Sequence, residues 1–170
     1  KAIEGSPDSI SIKSISNMLE LSMGLSAWKK YGASEWALRM NPSSGNLHPT
    51  ECYLVLPDLA RQKACVTHYN PYLHVLEERA LFDRGQVGWL GSYGGFGIIL
   101  TSIPWREAWK YGERAFRYCQ HDLGHALGAL RFASNLNGWK MSLIPKISAK
   151  RLERLLGFDQ LHWADGEAEH

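Results

Sequence analysis

The sequence predicts an α+β fold for this chain of 170 residues. Short apolar segments typical of strands alternate with amphipathic segments typical of helices, but several strands also follow one another with no helix between them. A doubly wound parallel sheet would need a crossover helix between neighbouring strands, so this order favours α+β over that architecture. At this length the chain forms one domain or one compact half of a larger protein.

The first half of the chain predicts one helix followed by three short strands. Apolar side chains recur at helical spacing over residues 14–25, which predicts an amphipathic helix that ends near Gly24. Residues 28–40 predict a mixed polar and aromatic connector, and the turn formers at residues 41–46 predict a loop. Predicted strands follow at residues 52–56, 66–69 and 73–76.

The second half predicts a glycine-rich loop, a central strand and two helices. Residues 85–97 predict a mobile loop, whereas residues 96–103 are almost all apolar and predict the central strand of the sheet. A long helix is predicted over residues 113–137 with Gly138 as its C-cap, and a last helix over residues 148–156. The predicted apolar stripe of the long helix comprises Phe116, Cys119, Leu123, Leu127, Leu130 and Ala133.

The composition excludes several classes of protein. Apolar residues make up 45% and charged residues 21% of the chain, proportions that exclude a disordered protein. The net charge of +2 and the lack of long basic runs argue against nucleic-acid binding. No apolar run approaches the ~20 residues that a transmembrane helix needs. Cys52, Cys65 and Cys119 are too scattered for a disulfide framework, so we expect buried thiols and a cytoplasmic protein.

The loop rich in turn formers is the first candidate binding site. Its residues 43–46 are Ser, Ser, Gly and Asn, which can direct backbone N–H groups and short hydroxyls toward one concave spot. Such a nest suits a phosphate or the polar edge of a heterocycle, and Arg39 can add a charge-assisted hydrogen bond nearby. The alternative is a plain serine and glycine turn that precedes a strand.

A charged and aromatic segment after the predicted central strand is the second candidate site. Lys110 and Tyr111 are adjacent there, a pair that can act as general base and proton donor if burial tunes them. We expect Lys110 to be partly desolvated and close to Arg106 and Arg114, and these effects would favour its uncharged amine. Glu113 could instead pair with Lys110 and keep it charged, and the segment could equally be a solvated helix start.

The long helix carries two further patterns. His121, Asp122 and His125 lie at a spacing that zinc ligands use, but no further ligand can be identified, so we predict no metal site. Gly124 and Gly128 make the middle of the helix small, at a cost of ~1 kcal/mol each relative to alanine. Small residues permit a close approach of backbones, so we expect a partner element to pack there.

Two segments of the chain carry a family resemblance. The first extends from Arg39 to Tyr53 and contains Pro42-Ser43-Ser44-Gly45-Asn46-Leu47-His48-Pro49. The second extends from Lys110 to Trp139 and contains Lys110-Tyr111-Gly112-Glu113-Arg114 and Asp122-Leu123-Gly124-His125-Ala126. Together and in this order they resemble the nitroreductase-like flavoprotein superfamily. The resemblance is greatest to its branch of SagB/McbC-type thiazoline and oxazoline dehydrogenases, which belong to peptide-modifying systems.

The resemblance implies a central, mainly antiparallel sheet wrapped by helices, with the long helix at the heart of a subunit or pseudo-subunit interface. It implies FMN as the cofactor and an oxidoreductase that moves two electrons from or to a small-molecule or peptide substrate. By position, Lys110 and Tyr111 match the pair that branch members use for proton abstraction during azoline oxidation. The residues implied to line the cofactor are Arg39, Pro42, Ser43, Ser44, Gly45, Asn46, Ser142, Leu143 and Ile144.

The organisation of the whole protein follows from the same resemblance. We expect residues 1–170 to be a single nitroreductase-like domain, either a shortened core or one half of a tandem protein. The assembly expected is accordingly a homodimer or a tandem pseudo-dimer. The alternative function is a non-catalytic binding or scaffold module on the same fold, which would hold no flavin.

Overall fold

The structure is a computed structural model that describes residues 6–59, 63–82, 94–144 and 147–161. Helices and strands follow one another along these residues in a mixed order. The helices are α1 (Ile12–Ser22), α2 (Trp105–Tyr111), α3 (Ala115–Leu136) and α4 (Ala149–Leu156). The strands are β1 (Leu25–Tyr31), β2 (Ser34–Arg39), β3 (Thr50–Leu56), β4 (Ala64–Asn70), β5 (Val75–Phe82) and β6 (Gly97–Ser102).

The main sheet of the described residues has the strand order β5-β4-β3-β6, and each neighbouring pair is antiparallel. β3 lies in its interior, and all of its residues are buried. The prediction that residues 96–103 form the central strand is wrong for this sheet, because β6 pairs only with β3 among the described strands. β6 is apolar for another reason: Ile98 and Leu100 pack into one core and Ile99 packs into the other.

Helices cover both faces of this sheet, which confirms the α+β prediction. On one face, α1 and α3 pack against β3, and Ile15, Leu54 and Leu130 are completely buried there. On the other face, Val55 packs in a second core with Leu156 of α4. Burial of a side chain of this size contributes about 1.5–3 kcal/mol. The two cores therefore hold the helices to the sheet.

The buried stripe of α3 agrees with the predicted one at Cys119, Leu130 and Ala133 and differs at the other three positions. Phe116, predicted to lie in the stripe, is 73% exposed, and Leu123 and Leu127 are only partly buried. The small residues that face inward let α3 approach the sheet and α1 closely, which leaves larger side chains on its outer face. The buried residues of α3 are Ala115, Cys119, Asp122, Ala126, Leu130, Ala133 and Ser134.

No helix in the described ranges is long and apolar enough to cross a membrane.

The segment predicted to be a connector, residues 28–40, is instead part of a two-stranded hairpin. β1 and β2 pair antiparallel, with Trp28 opposite Ala37 and Lys30 opposite Glu35. Most of their residues are exposed, so neither strand shows the alternation of apolar and polar residues that marks a half-buried strand. The sequence pattern therefore gave no strand signal here.

Most other predicted boundaries agree with the structure within a few residues. α1 begins earlier than predicted because Ser11 caps its first turn. β5 begins later than the predicted third strand, after a turn at residues 71–74. Gly138 and Gly157 follow α3 and α4 with positive φ, which confirms the predicted helix ends. The loop predicted at residues 85–97 falls largely outside the described residues.

Candidate functional site

A buried carboxylate holds the first candidate loop against α3. Asp122 of α3 is fully buried and accepts hydrogen bonds from the Ser43 hydroxyl at 2.7 Å and the Ser44 hydroxyl at 3.1 Å. The Ser44 backbone N–H donates to the same carboxylate at 3.0 Å. These donors converge on one anion as the nest requires, and that anion is a side chain of this chain. Contact of Ser43 and Ser44 with a cofactor stays a prediction.

Gly45 brings the two candidate sites together. Its φ is 62°, a conformation that glycine adopts without steric cost. A Cβ at this position would lie 2.6 Å from the Tyr111 hydroxyl and 2.8 Å from Lys110 Nζ. The backbone of the loop and the end of α2 therefore form one site, with Lys110 and Tyr111 directly against Gly45.

Aromatic rings lie beside the ammonium group of Lys110. Lys110 Nζ is 5.4 Å from the centroid of the Tyr111 ring, a cation–π distance. The ring centroids of Tyr111 and Tyr118 are 4.4 Å apart. Lys110 itself is exposed, so the predicted desolvation of this side chain is wrong. The reason is that α2 turns its Glu107 side inward and leaves Lys110 at the surface.

Arg106, predicted to act on Lys110, instead joins the sheet. It donates to the His48 carbonyl at 2.9 Å and pairs with the Glu51 carboxylate. Glu51 also lies 2.7 Å from His68 Nε2. Burial favours the neutral acid, but the bonds to His68 and Arg106 outweigh it and keep the pKa of Glu51 below its ordinary value. The Glu51 bond in turn raises the pKa of His68. This network connects β3, β4 and α2 with the end of the loop.

Asn46 and His48 fix the second half of the loop. Asn46 Nδ2 donates to the Ala37 carbonyl at 2.9 Å, so Asn46 Oδ1 is the acceptor for His48 Nε2 at 2.7 Å. Burial and the charge of Arg39 lower the pKa of His48 to about 4. His48 is therefore neutral at pH 7, with its proton on Nε2 and a lone pair on Nδ1. This buried Nδ1 has no hydrogen-bond partner among the described residues.

The other predicted cofactor residues lie around this centre. Arg39 donates to the Thr50 carbonyl at 3.4 Å, and burial lowers its pKa. Pro42 is exposed at the start of the loop. Within the described residues, no hydrogen bond connects the segment that follows α3 to the loop. That segment is irregular backbone and contains Ser142, Leu143 and Ile144.

The histidines of α3 do not surround Asp122 as metal ligands would. The Asp122 carboxylate is engaged by the serines, and His121 and His125 are exposed. Across the part of the chain that the structure describes, no three His, Cys, Asp or Glu side chains form a group that could hold a metal ion. The role of Asp122 in this structure is to hold the loop.

Sequence reasoning missed a second buried carboxyl at the site. Glu107 is fully buried, and burial together with the charge of Asp122 raises its pKa to about 7. Burial and these two carboxylates also raise the pKa of the Cys119 thiol to about 11. The signal for Asp122 is its spacing, since it lies in the buried stripe between Cys119 and Ala126. Glu107 offers no such signal, because it is the one buried residue of α2.

Comparisons with known proteins point in one direction. The trifolitoxin-processing protein TfxB of Rhizobium leguminosarum bv. trifolii is 30% identical over 141 residues, which are 76% of this chain and 38% of TfxB. A nitroreductase-type protein from Anabaena variabilis has a TM-score of 0.75 and 26% identity, over 85% of this chain and 31% of that chain. The chain has the nitroreductase-like fold and resembles proteins of that superfamily in sequence. It spans about two fifths of TfxB and about a third of the Anabaena protein.

Two further structures share the nitroreductase-like fold. The E. coli microcin synthetase McbBCD complex, with truncated pro-MccB17 bound, has a TM-score of 0.70 and 20% identity over 90% of this chain and 60% of that chain. A Ralstonia eutropha nitroreductase-type protein has a TM-score of 0.63 and 14% identity over 91% and 69%. No protein-family model matches the chain. TfxB supports the SagB/McbC-type resemblance found in the sequence, and the McbBCD structure shares the fold.

Proposed function

We propose that this chain carries the FMN site and the catalytic pair of a SagB/McbC-type dehydrogenase that oxidises a modified peptide. The observation that carries the proposal is the contact of Gly45 with Lys110 and Tyr111, because it joins the two segments that match the family. The nitroreductase-like fold supports a flavin-type oxidoreductase. The peptide substrate is supported by TfxB, which processes trifolitoxin, and by McbBCD, which binds pro-MccB17.

The residues of the loop fit a flavin. Gly45 is exposed and carries no side chain, so its backbone can come close to a flat ring system. Lys110 places an exposed amino group beside the same backbone, and His48 Nδ1 is an acceptor without a partner among the described residues. Arg39, at the base of the loop, is proposed to contact the cofactor as well. The residues proposed to line the cofactor are Pro42, Ser43, Ser44, Gly45, Asn46, Ser142, Leu143 and Ile144.

Lys110 and Tyr111 would move the protons of the reaction. Oxidation of an azoline to an azole removes one proton and one hydride equivalent from the ring. When bound, FMN supplies the acceptor for the two electrons. The uncharged amine of Lys110 would take the proton from the ring carbon, and the adjacent Tyr111 hydroxyl would relay it to solvent. Both groups lie at Gly45, where the loop would hold the ring of the cofactor.

Replacement of Lys110 tests this assignment. Lys110→Ala is expected to lower turnover of a synthetic thiazoline peptide by ~10²–10⁴-fold with FMN still bound, the usual effect of a lost acid–base group. Mass spectrometry would follow the loss of two hydrogens from the peptide. Lys29→Ala, which removes an exposed lysine of β1, is the matched control. Activity of the Lys110→Ala variant equal to that of the control would contradict the assignment.

A second candidate function is a scaffold module that holds no flavin. It is favoured by one observation: the hydrogen-bond donors of Ser43 and Ser44 are directed at Asp122, and Arg39 binds the Thr50 carbonyl. These groups are then engaged within the chain rather than with a phosphate. A scaffold would have the same fold but no absorption from flavin in the visible range.

The outer face of α3 supports assembly as a homodimer or a tandem pseudo-dimer. A Cβ on Gly124 or Gly128 would meet no described atom within 4 Å, so the small middle of the helix is open. Phe116 and Phe132 are 73% and 75% exposed on the same helix. Exposed apolar groups of this size mark interaction surfaces when they occur together. The free, buried thiols of the chain support the cytoplasmic location expected from its sequence.

A further inference from the structure

Asp122 is placed to control the geometry of the proposed site without touching the substrate. Its carboxylate is fully buried, and it accepts hydrogen bonds from both serine hydroxyls and from the Ser44 N–H. A buried carboxylate that lost these donors would be strongly unfavourable. Charge-assisted hydrogen bonds are also about twice as strong as neutral ones. Asp122 therefore holds residues 43 and 44 firmly against α3.

The position of Gly45 depends on this attachment. Ser44 directly precedes Gly45, and the Gly45 backbone is so close to α2 that a Cβ would lie 2.8 Å from Lys110 Nζ. A loop that moved away from Asp122 would carry Gly45 away from Lys110 and Tyr111. The distance between the loop backbone and the proton-transfer pair is thus set from the far side of the loop.

Glu107 places a second buried carboxyl next to Asp122. Neither oxygen of Glu107 accepts a hydrogen bond from a donor group of the described residues, and its carboxyl is within hydrogen-bond reach of the Asp122 carboxylate. Two neighbouring carboxyls in a buried site do not both ionise near pH 7 unless donors compensate them, and here the donors belong to Asp122. The proton of the pair therefore resides on Glu107. The pKa of Glu107 is raised to about 7 by burial and by Asp122, against the opposing charge of Lys110.

We propose that Asp122 is the positioning residue of the Lys110–Tyr111 site, and that the proton on Glu107 allows Asp122 to hold the loop. The inference rests on the proposed function and describes how the loop is held at its distance from Lys110 and Tyr111. Loss of that proton would place two carboxylates side by side and weaken the attachment of the loop. The other titratable groups near the pair are Lys110 on α2, Cys119 on α3 and His48 at the end of the loop.

Amide hydrogen exchange at Ser44 tests the inference in the chain without added flavin. Protection of the Ser44 N–H, corrected for intrinsic exchange, is expected to fall ~10-fold or more as the pH rises through about 7. Glu107→Gln stays neutral at every pH, so this variant is expected to show no such fall. Asp159→Asn, which alters an exposed carboxyl, is the control and should behave as the parent does.

Replacement of Asp122 provides the second arm. Asp122→Asn is expected to lower Ser44 protection ~10-fold or more at every pH, because the amide NH₂ cannot accept the bonds that a carboxylate accepts. If this variant does not fold, the comparison of Glu107→Gln with the parent still decides. In the flavin-loaded parent, kcat is expected to decline above about pH 7, because the loop then loosens. Glu107→Gln is expected to show no such decline, and KM is expected to be the same in both proteins.

Two outcomes would overturn the inference. One is Ser44 protection in the parent that shows no step near neutral pH, and the other is the same step in Glu107→Gln. The exchange experiment is independent of the proposed function, because it needs no cofactor. A chain that shows the step but binds no flavin would refute the proposed function and support the attachment of the loop through Asp122.

Discussion

Gly45 is the residue at which the site depends most on the absence of a side chain. Two constraints meet there, the positive φ of 62° and the close approach of Lys110 and Tyr111. A positive φ alone would disfavour most side chains by roughly 1–2 kcal/mol. The second constraint is specific to the site, because the groups that a Cβ would meet are the proposed proton carriers.

Gly45→Ala is expected to destabilise the chain and to displace Lys110 and Tyr111. The matched control is Gly32→Ala in the β1–β2 turn, where φ is 59° but a Cβ would meet no described atom within 4 Å. Both variants share the backbone strain, so their difference reports the steric contact. Gly45→Ala should lower the free energy of unfolding by ~1 kcal/mol more than Gly32→Ala in urea titrations, at the low end for overpacking because the Cβ would meet the movable ends of two side chains. Equal losses together with unchanged NMR signals of the Tyr111 ring would show that Lys110 and Tyr111 do not lie against this loop.

At the scale of the elements, a polar network connects the sheet to α2. His68 of β4 lies 2.7 Å from Glu51 of β3 and 2.9 Å from Glu77 of β5. Arg106 of α2 completes the network by pairing with Glu51 and by binding the carbonyl of His48. Three strands and one helix are thus held together on the side of the sheet that ends at the loop.

The charge of His68 makes this network dependent on pH. Its pKa is raised in the folded chain, chiefly by the hydrogen bond to Glu51. The stability that it contributes is therefore complete below the ordinary pKa of about 6.5 and is lost as the pH rises through the raised value. His68→Gln is expected to lower the free energy of unfolding by ~1–3 kcal/mol near pH 6, with a smaller loss at higher pH. Urea titrations across this range would measure it, with exposed His125→Gln as control. A loss that is constant with pH would contradict the role of the imidazolium.

Elements with a buried face or a defined cap could be predicted from the sequence. β3 and the ends of α3 and α4 agree with the prediction because apolar content and a glycine after each helix mark them locally. The β1–β2 hairpin could not be predicted, since exposed strands show no alternation. The buried stripe of α3 was predicted only in part, because the sequence shows which residues are large, whereas close packing here also selects small ones such as Ala115 and Ala126.

The candidate site was predicted in its two halves but not in its connection. The loop and the Lys110–Tyr111 pair each have a local motif, so both could be found in the sequence. Their contact at Gly45 depends on how α2 folds back toward the loop, which no local pattern encodes. Asp122 and Glu107 were missed as a pair for the same reason, because they meet between two helices.

At the scale of the whole molecule, the open face of α3 is the surface on which we propose that the chain forms a dimer. Gly128→Leu is expected to fold at least as well as the parent, because leucine is a better helix former and no described atom lies near its Cβ. It should nevertheless abolish the dimer, since a large side chain would keep the two backbones apart. Gly128→Ala is the size-matched control and should still dimerise. Light scattering at equal concentrations would measure both, and a dimeric Gly128→Leu would exclude this face as the interface.

Binding of FMN to the purified chain tests the proposed function most directly. Titration of FMN into the chain, followed by quenching of flavin fluorescence, should show saturable binding of one FMN per chain. Gly32→Ala should bind as the parent does, whereas Gly45→Ala should bind at least ~10-fold more weakly, a difference of about 1.4 kcal/mol. A folded chain that shows no saturable binding up to about 1 mM FMN, where the binding free energy would be only about −4 kcal/mol, would contradict the proposed flavin site and favour the scaffold function.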